Sequence, residues 1–200
     1  MFDSMIDLPM INRFLAGHSA RMVPADGRAR TAVAMLLRQG NTGAEVLFIL
    51  RARHEGDPWS GNIGFPGGRI EPGDPSPRAA AERETEEELG LQLASENYLG
   101  QMDDIVGAHL PVLVSCYAYR VDGSAGITPN GEIDSYFWTP VSQLIDPARR
   151  MEAEVVFGGE RFIRPAICLL SPTEPVLWGI TYRLVMGFLR ILGLEGREDT

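Results

Sequence analysis

The chain has 200 residues and a formal net charge of −9, and all eighteen of its basic side chains are arginines. That length suits one domain with a real core, and an apolar content of 44 % is ordinary for a globular protein. The acidic balance argues against a general nucleic-acid binder, because phosphates require a basic face.

In chain order, Asp3, Asp7 and Arg13 interrupt any apolar run at the start, so no signal peptide is read there and a cytoplasmic protein is expected. Residues 1–30 read as a peripheral segment. Pro9 to Ala16 suits a short helix with Ile11, Phe14 and Leu15 on its apolar side, and Pro24-Ala25-Asp26-Gly27 reads as a turn. Thr31 to Arg38 and Glu45 to Arg51 are strand candidates joined at Asn41-Thr42-Gly43, which makes a hairpin. His54 to Gly64 is rich in turn formers and reads as a loop. Arg51 and Arg53 precede it, either as strand-end charges or as a clamp on phosphate, for which a guanidinium fork is well shaped. Trp59 suits either a core or a stacking role.

The next stretch, GGRIEPGDPSPRAAAERETEEELGL from Gly67 to Leu91, organises the rest. Ser76 is an N-cap, Pro77 fits the first helical position, and Gly90 ends the helix in a left-handed cap. Glu84, Glu87 and Glu88 fall on one narrow face, and Arg83 precedes Glu87 by one turn. Five glutamates crowd around this one arginine from Glu82 to Glu88. Like charges at this spacing cost a few tenths of a kcal/mol per pair, and anions near a helix C-terminus cost about 0.3–1 kcal/mol each. A hard divalent cation with oxygen ligands is one way to offset this; a solvated acidic face is the other. Gly67-Gly68 in the preceding loop allows close approach of backbone to a ligand.

Beyond the helix, Tyr98 to Val106 and Leu110 to Val121 read as strands, the second apolar on both faces. Asp103 and Asp104 suit either a pocket or a turn, and His109 suits a structural role ahead of an acid–base one. Thr128-Pro129-Asn130-Gly131 is a turn before Glu132 and a strand from Ser135 to Trp138, followed by a short helix from Val141 to Leu144. Val155 to Phe157 and Phe162 to Pro165 suit a second hairpin. A final helix over Val176 to Leu192 stops at Gly193. Arg183 and Arg190 interrupt it, which argues against a membrane span, and its apolar face suits a core or a homodimer contact. Cys116 and Cys168 match no metal or redox spacing and read as reduced thiols.

The stretch from Gly67 resembles the Nudix box, G-x5-E-x7-R-E-U-x-E-E-x-G-U with U apolar. Arg83-Glu84, Glu87-Glu88, Gly90 and Leu91 match its second half, and Thr85 stands where an aliphatic residue is usual. Counted from Gly68, Asp74 takes the place of the first Glu, and the spacer to Arg83 is one residue longer than the pattern. Upstream, LFILRARHEGDPWSGNIGFPGG from Leu47 to Gly68 is similar to the coenzyme A pyrophosphatase branch, with Asp57-Pro58-Trp59-Ser60-Gly61 where that branch usually carries further Arg and His. Pro129 to Pro140 and Trp178 to Arg183 fit the same branch loosely, so the likeness runs over roughly Thr31 to Leu192.

The resemblance implies an α/β/α sandwich with a mixed sheet and a loop–helix–loop at the site. The corresponding domain is residues 31–192, with a tail at 193–200. It implies metal-dependent hydrolysis of a diphosphate in a small nucleotide derivative. Mg²⁺ or Mn²⁺ would be held by Glu84, Glu87, Glu88 and a backbone carbonyl at Gly68. Arg83 would orient the carboxylates; Glu132 would be a further ligand or the base, with an exposed loop carboxylate as the other reading and a helical Glu as the other base; and Arg51, Arg53 and Arg69 would meet substrate phosphates. Coenzyme A is the first candidate substrate. ADP-ribose, NADH or another nucleotide is the alternative, and a silent nucleotide-binding module is a third reading, against which the three retained carboxylates argue.

Overall fold

The computed structural model describes residues 6–54, 59–108, 110–123 and 126–194. Helix α1, Leu8–Ala16, starts where the Asp7 carboxylate accepts from the Met10 amide at 2.9 Å. Its Ile11 and Leu15 are buried. Strands β1, Ala29–Gly40, and β2, Gly43–Arg51, form the expected hairpin, pairing Leu37 with Val46 and Gly40 with Gly43.

Past that pair β1 and β2 splay apart, and the stretch read as a loop fills the gap. Strand β3, Ile63–Gly64, pairs with β2 at Leu50 and Ile49; β4, Gly67–Arg69, pairs with β1 at Val33 to Thr31. Between them the Ala34 amide donates to the Pro66 carbonyl at 2.9 Å. The Phe-Pro-Gly-Gly segment is thus a wedge held by ladder bonds on two sides, and this fixes it as a rigid wall of the site. At Gly67, with φ 148°, an added Cβ would lie 2.3 Å from the Ala32 carbonyl oxygen, so only glycine fits there.

After helix α2, Pro77–Leu89, the expected strand from Tyr98 breaks in two. Strand β5 is Tyr98–Gln101 and β6 is Ile105–Val106, both antiparallel to β7, Val112–Arg120. The break falls at Asp103-Asp104, which neither line a pocket nor form a simple turn. Asp104 is buried and accepts from Ser115 Oγ at 2.7 Å and from the Val23 amide at 2.9 Å; Asp103 meets His18 Nε2 at 2.9 Å. The two carboxylates clamp residues 18–23 to the sheet, because buried backbone donors require partners.

Strand β7 runs parallel to β1, from Ala29 opposite Val112 to Leu37 opposite Arg120. Strand β8, Ile133–Pro140, covers the outer side of β2. The result is a mixed eight-stranded sheet. Alternation along β1 and β2 sends Ala32, Ala34, Leu36, Leu47 and Ile49 toward Ala80, Ala81 and Leu89 of α2. Met35, Leu37, Val46 and Phe48 point the other way, into the core that contains Ile11 and Leu15. Leu184, Val185, Phe188 and Leu189 of helix α4, Gly179–Ile191, complete that second core. Alanines on both sides of the α2 contact let the helix lie close to the sheet. The architecture is the expected α/β/α sandwich.

Helix α3 is Val141–Leu144. Strands β9, Arg150–Phe157, and β10, Glu160–Ile167, make a separate hairpin, longer than the sequence suggested, around Gly158 and Gly159. Helix α4 begins three residues later than expected, because Trp178 is extended and Gly179, with φ 67°, turns the chain into the helix. Cys116 is buried, Cys168 is half-buried, and both are free thiols. Among the described residues no helix is long and apolar enough to cross a membrane. His109 lies outside the described residues.

Candidate active site

Helix α2 is built as the sequence suggests. The Ser76 hydroxyl accepts from the Ala79 amide at 3.1 Å, and Gly90, with φ 65°, donates its N–H to the Glu86 carbonyl at 2.8 Å. The next carbonyls are satisfied by the loop before β8. The Thr128 amide donates to Leu89 O at 2.8 Å, and the Asn130 amide to Glu88 O at 2.9 Å. Asn130 Oδ1 in turn accepts from the Glu132 amide at 2.9 Å, and the Glu132 carbonyl accepts from the Ala52 amide at 2.8 Å. Glu132 is therefore pinned at the seam between the end of α2 and the chain leaving β2. The sequence reading did not single out Asn130; its place in a turn beside Glu132 is the one signal that pointed to it.

Arg83 is the hub of the helix. Its Nε and Nη2 meet the two oxygens of Asp74 at 3.0 and 3.1 Å. Its Nη1 reaches Glu84 at 3.0 Å and Glu87 at 3.1 Å, and Nη2 also donates to the Arg69 carbonyl at 3.2 Å. A paired, two-bond contact with a carboxylate is the strong form of this interaction. It holds the Asp74 carboxyl below its ordinary range, chiefly through the hydrogen bonds from Arg83, and keeps Arg83 firmly protonated. Asp74 thus braces the loop against the helix despite its shorter side chain and the extra spacer residue. Thr85 is buried, and its hydroxyl donates to the Ala81 carbonyl at 2.7 Å, so its polar group is satisfied within the helix.

The three candidate ligand carboxylates differ in environment. Glu87 is exposed and Glu84 is half-buried, whereas Glu88 is only 2 % exposed. Glu88 Oε2 accepts from the Gly67 amide at 2.8 Å, and Oε1 lies 3.4 Å from Arg51 Nη1. Burial pushes the Glu88 pKa up to about 7, with Glu84 and Glu132 adding repulsion against the lowering effect of the Gly67 N–H and Arg51. Burial likewise raises that of Glu84, opposed by Arg83 and assisted by the charges of Glu87 and Glu132. Glu132 is felt by both, so its carboxylate belongs to the same group.

Gly68 faces Glu84 closely, since a Cβ there would sit 2.4 Å from the Glu84 carboxyl carbon. The absence of a side chain leaves room for that carboxylate against the loop. Arg51 is brought into the group. Arg53 packs beside Gly61, with an added Gly61 Cβ at 3.6 Å from its Nε, and Arg69 is exposed at the end of β4. Of the remaining glutamates on the helix, Glu82 accepts from Arg78 Nε at 2.9 Å and from the Tyr119 hydroxyl, and Glu86 accepts from Gln92 at 2.7 Å. Arg78 is thus a second cation on this helix, stacked 4.1 Å above the Tyr98 ring. Among the described residues no three His, Cys, Asp or Glu side chains converge on a common metal position. Glu84 and Glu87 are engaged by Arg83, and Glu88 by Arg51 and the Gly67 N–H.

A NUDIX domain family model matches residues 28–157. Human mitochondrial coenzyme A diphosphatase NUDT8 is 29 % identical over 189 residues, which cover 90 % of this chain and 75 % of that protein. Nudix hydrolase 15, mitochondrial, of Arabidopsis thaliana is 24 % identical over 155 residues, covering 76 % of this chain and 54 % of that protein. Among solved structures, a MutT/nudix family protein from Enterococcus faecalis has a TM-score of 0.55 at 16 % identity, over 94 % of this chain and 70 % of that one, a likeness of fold. A glycine wedge, a buried carboxylate and an arginine-braced acidic helix all lie within the residues that the family model matches, and the chain belongs to the Nudix family as a hydrolase of nucleoside diphosphate derivatives.

Proposed function

We propose that this chain cleaves the diphosphate of coenzyme A or a close derivative, giving 3′,5′-ADP and 4′-phosphopantetheine. The observation that carries this reading is the contact between Arg51 and Glu88. It sets a guanidinium, a group whose shape suits phosphate, beside a buried carboxylate that is bonded to the glycine wedge. The likeness to the coenzyme A diphosphatase NUDT8 supports the substrate class.

By the chemistry of their donors the residues fit a hard divalent cation, Mg²⁺ or Mn²⁺, which would draw the carboxylates together. Their donors are all oxygen, and burial and mutual repulsion leave Glu84 and Glu88 short of positive charge. Glu84, Glu87, Glu88 and the Gly68 carbonyl are the ligands we assign. Such an ion, when bound, neutralises the diphosphate and acidifies a coordinated water. The chain supplies the rest. Arg83 orients Glu84 and Glu87, and the Gly67 N–H orients Glu88. Glu132 accepts the proton of the attacking water, its position set by Asn130. Arg51, Arg53 and Arg69 hold substrate phosphates through paired hydrogen bonds.

The test compares kcat/KM for coenzyme A, dephospho-coenzyme A, ADP-ribose and NADH with Mg²⁺ or Mn²⁺, products identified by mass. Loss of the 3′-phosphate should weaken catalysis, and an Arg-to-Ala change at position 51, 53 or 69 should erase that preference. A preference of about tenfold or more for ADP-ribose or NADH, a gap of about 1.4 kcal/mol, refutes the coenzyme A reading.

A further inference from the structure

Apart from the carboxylates the fold carries a second feature, an apolar cavity of about 200 Å³. Four aromatic side chains line it, Trp59, Phe157, Trp178 and Tyr182. Trp59 and Phe157 stand 5.1 Å apart between ring centroids, and Trp178 meets Phe157 edge-on at 6.1 Å. Ala108, Ile180 and the guanidinium-bearing Arg183 complete the part of the wall that matters here.

The cavity is tied to the carboxylates by a short chain of hydrogen bonds. The Trp178 indole N–H donates to Asn62 Oδ1 at 3.1 Å, and the Asn62 amide donates to the Trp59 carbonyl at 3.1 Å. The Arg51 amide donates to the Asn62 carbonyl at 3.1 Å, and the Arg51 guanidinium is the group beside Glu88. Arg51 thus reaches the carboxylate group by its side chain and the aromatic wall, through Asn62, by its backbone.

We infer that this cavity is the subsite for the base at the nucleoside end of the substrate. The inference rests on the nucleoside diphosphate chemistry of the family and is independent of the coenzyme A reading. An apolar cavity of about 150 Å³ takes one benzene ring, so the space here suits a two-ring base. Aromatic walls hold bases through their π-faces, and each such stack is worth roughly tenfold to a hundredfold in affinity. The Trp178 N–H is already committed to Asn62, so this ring meets a base by shape and stacking, while Tyr182 and Arg164 are further polar residues on the wall. Arg183 donates one of its N–H groups to the Val106 carbonyl at 2.7 Å, which anchors a cation on the cavity wall to match an anionic nucleotide. The occupant is thus a purine nucleotide, recognised with little discrimination between adenine and guanine.

The test is a tryptophan-fluorescence titration of the full-length protein in EDTA with AMP, GMP, UMP and ribose 5-phosphate. AMP and GMP should quench with affinities within about threefold of each other, UMP should bind more weakly, and ribose 5-phosphate should bind at least about tenfold more weakly than AMP. Ala108→Leu, which places an isobutyl group in the cavity from an exposed position, should weaken AMP by about tenfold or more and leave ribose 5-phosphate unchanged. Trp178→Phe keeps a ring in the wall and should retain AMP within about threefold. Equal binding of AMP and ribose 5-phosphate, or an Ala108→Leu protein that binds AMP as the native chain does, overturns the assignment. So does a ligand whose affinity follows an apolar acyl tail and ignores the base. The titration needs no turnover. Base binding without hydrolysis of any diphosphate would refute the hydrolytic reading and keep the subsite; hydrolysis without base binding would do the reverse.

Discussion

Glu88→Gln should make the metal-free protein more stable while removing its activity. The native carboxylate is buried, bonded to the Gly67 N–H and set 3.4 Å from Arg51. Burial, reinforced by Glu84 and Glu132, moves its pKa from 4.5 to about 7. That rise corresponds to about 3 kcal/mol between the neutral and ionised forms in the folded state. Because the folded pKa is raised, the associated stability is complete below pH 4.5, is lost as the pH climbs to about 7, and is absent above it. A glutamine keeps an oxygen for the Gly67 N–H and never ionises. Arg51 loses its counter-charge, which returns part of the gain, so the expected advantage at pH 8 is about 1–3 kcal/mol. In a domain of this size each kcal/mol moves Tm by about 2–4 °C. Urea denaturation in EDTA at pH 5, 6, 7 and 8 reads the effect directly, and the gap should close toward pH 5. Turnover with Mn²⁺ should fall by at least about a hundredfold, the scale set by removal of one strong electrostatic contact. A variant less stable than the native chain at pH 8, or an advantage indifferent to pH, would sink the electrostatic argument; normal turnover would sink the ligand assignment.

The two adjacent glycines should respond differently. Gly67→Ala drives a Cβ into the Ala32 carbonyl at 2.3 Å and should cost at least about 3 kcal/mol or abolish folding. Gly68→Ala meets only the end of the flexible Glu84 side chain, so it should fold, with a small change in melting temperature and a loss of activity of about tenfold or more. Millimolar Mn²⁺ should raise Tm, by about 2.7 kcal/mol of stabilisation if it reaches a hundred times its Kd, and Glu88→Gln should abolish the shift; a melting curve indifferent to the metal counts against a ready site. Asp104→Ala leaves the Val23 amide and the Ser115 hydroxyl without their buried acceptor and should destabilise by about 2–4 kcal/mol, measured by denaturant unfolding, with kcat little changed.

What was legible in the sequence was local. Ser76, Pro77, Gly90 and the spacing of Glu84, Glu87 and Glu88 defined the helix and its loaded face, because caps and helical period are short-range signals. Contacts between distant residues were not legible. The stretch from Ile63 to Arg69 carries turn residues, yet it forms β3 and β4 because β1 and β2 diverge there and leave unpaired ladder positions on both sides. Asp103 and Asp104 look like a turn until His18 and Val23, some eighty residues earlier, arrive to bind them. Trp59 was open between core and stacking, and its partners Phe157 and Trp178 come from the far hairpin and the start of α4.

The structure also changes which force strains the acidic helix. From the sequence, like charges and the helix dipole stood out, at about 0.3–1 kcal/mol for each anion near the C-terminus. The terminal carbonyls of Glu86, Glu88 and Leu89 all accept from backbone amides, so the bare end that gives the dipole its strength is largely covered. Glu82 is taken up by Arg78 and Tyr119, Glu86 by Gln92, and Glu87 faces water near Arg83. Charge stress is therefore not shared along the helix. It collects at Glu88, where burial outweighs the dipole several-fold, and next at Glu84, which is held between Arg83 and the bare backbone of Gly68. The region that most lacks positive charge is the wall formed by these two carboxylates and the glycine wedge, and Arg51 and Glu132 flank the same wall.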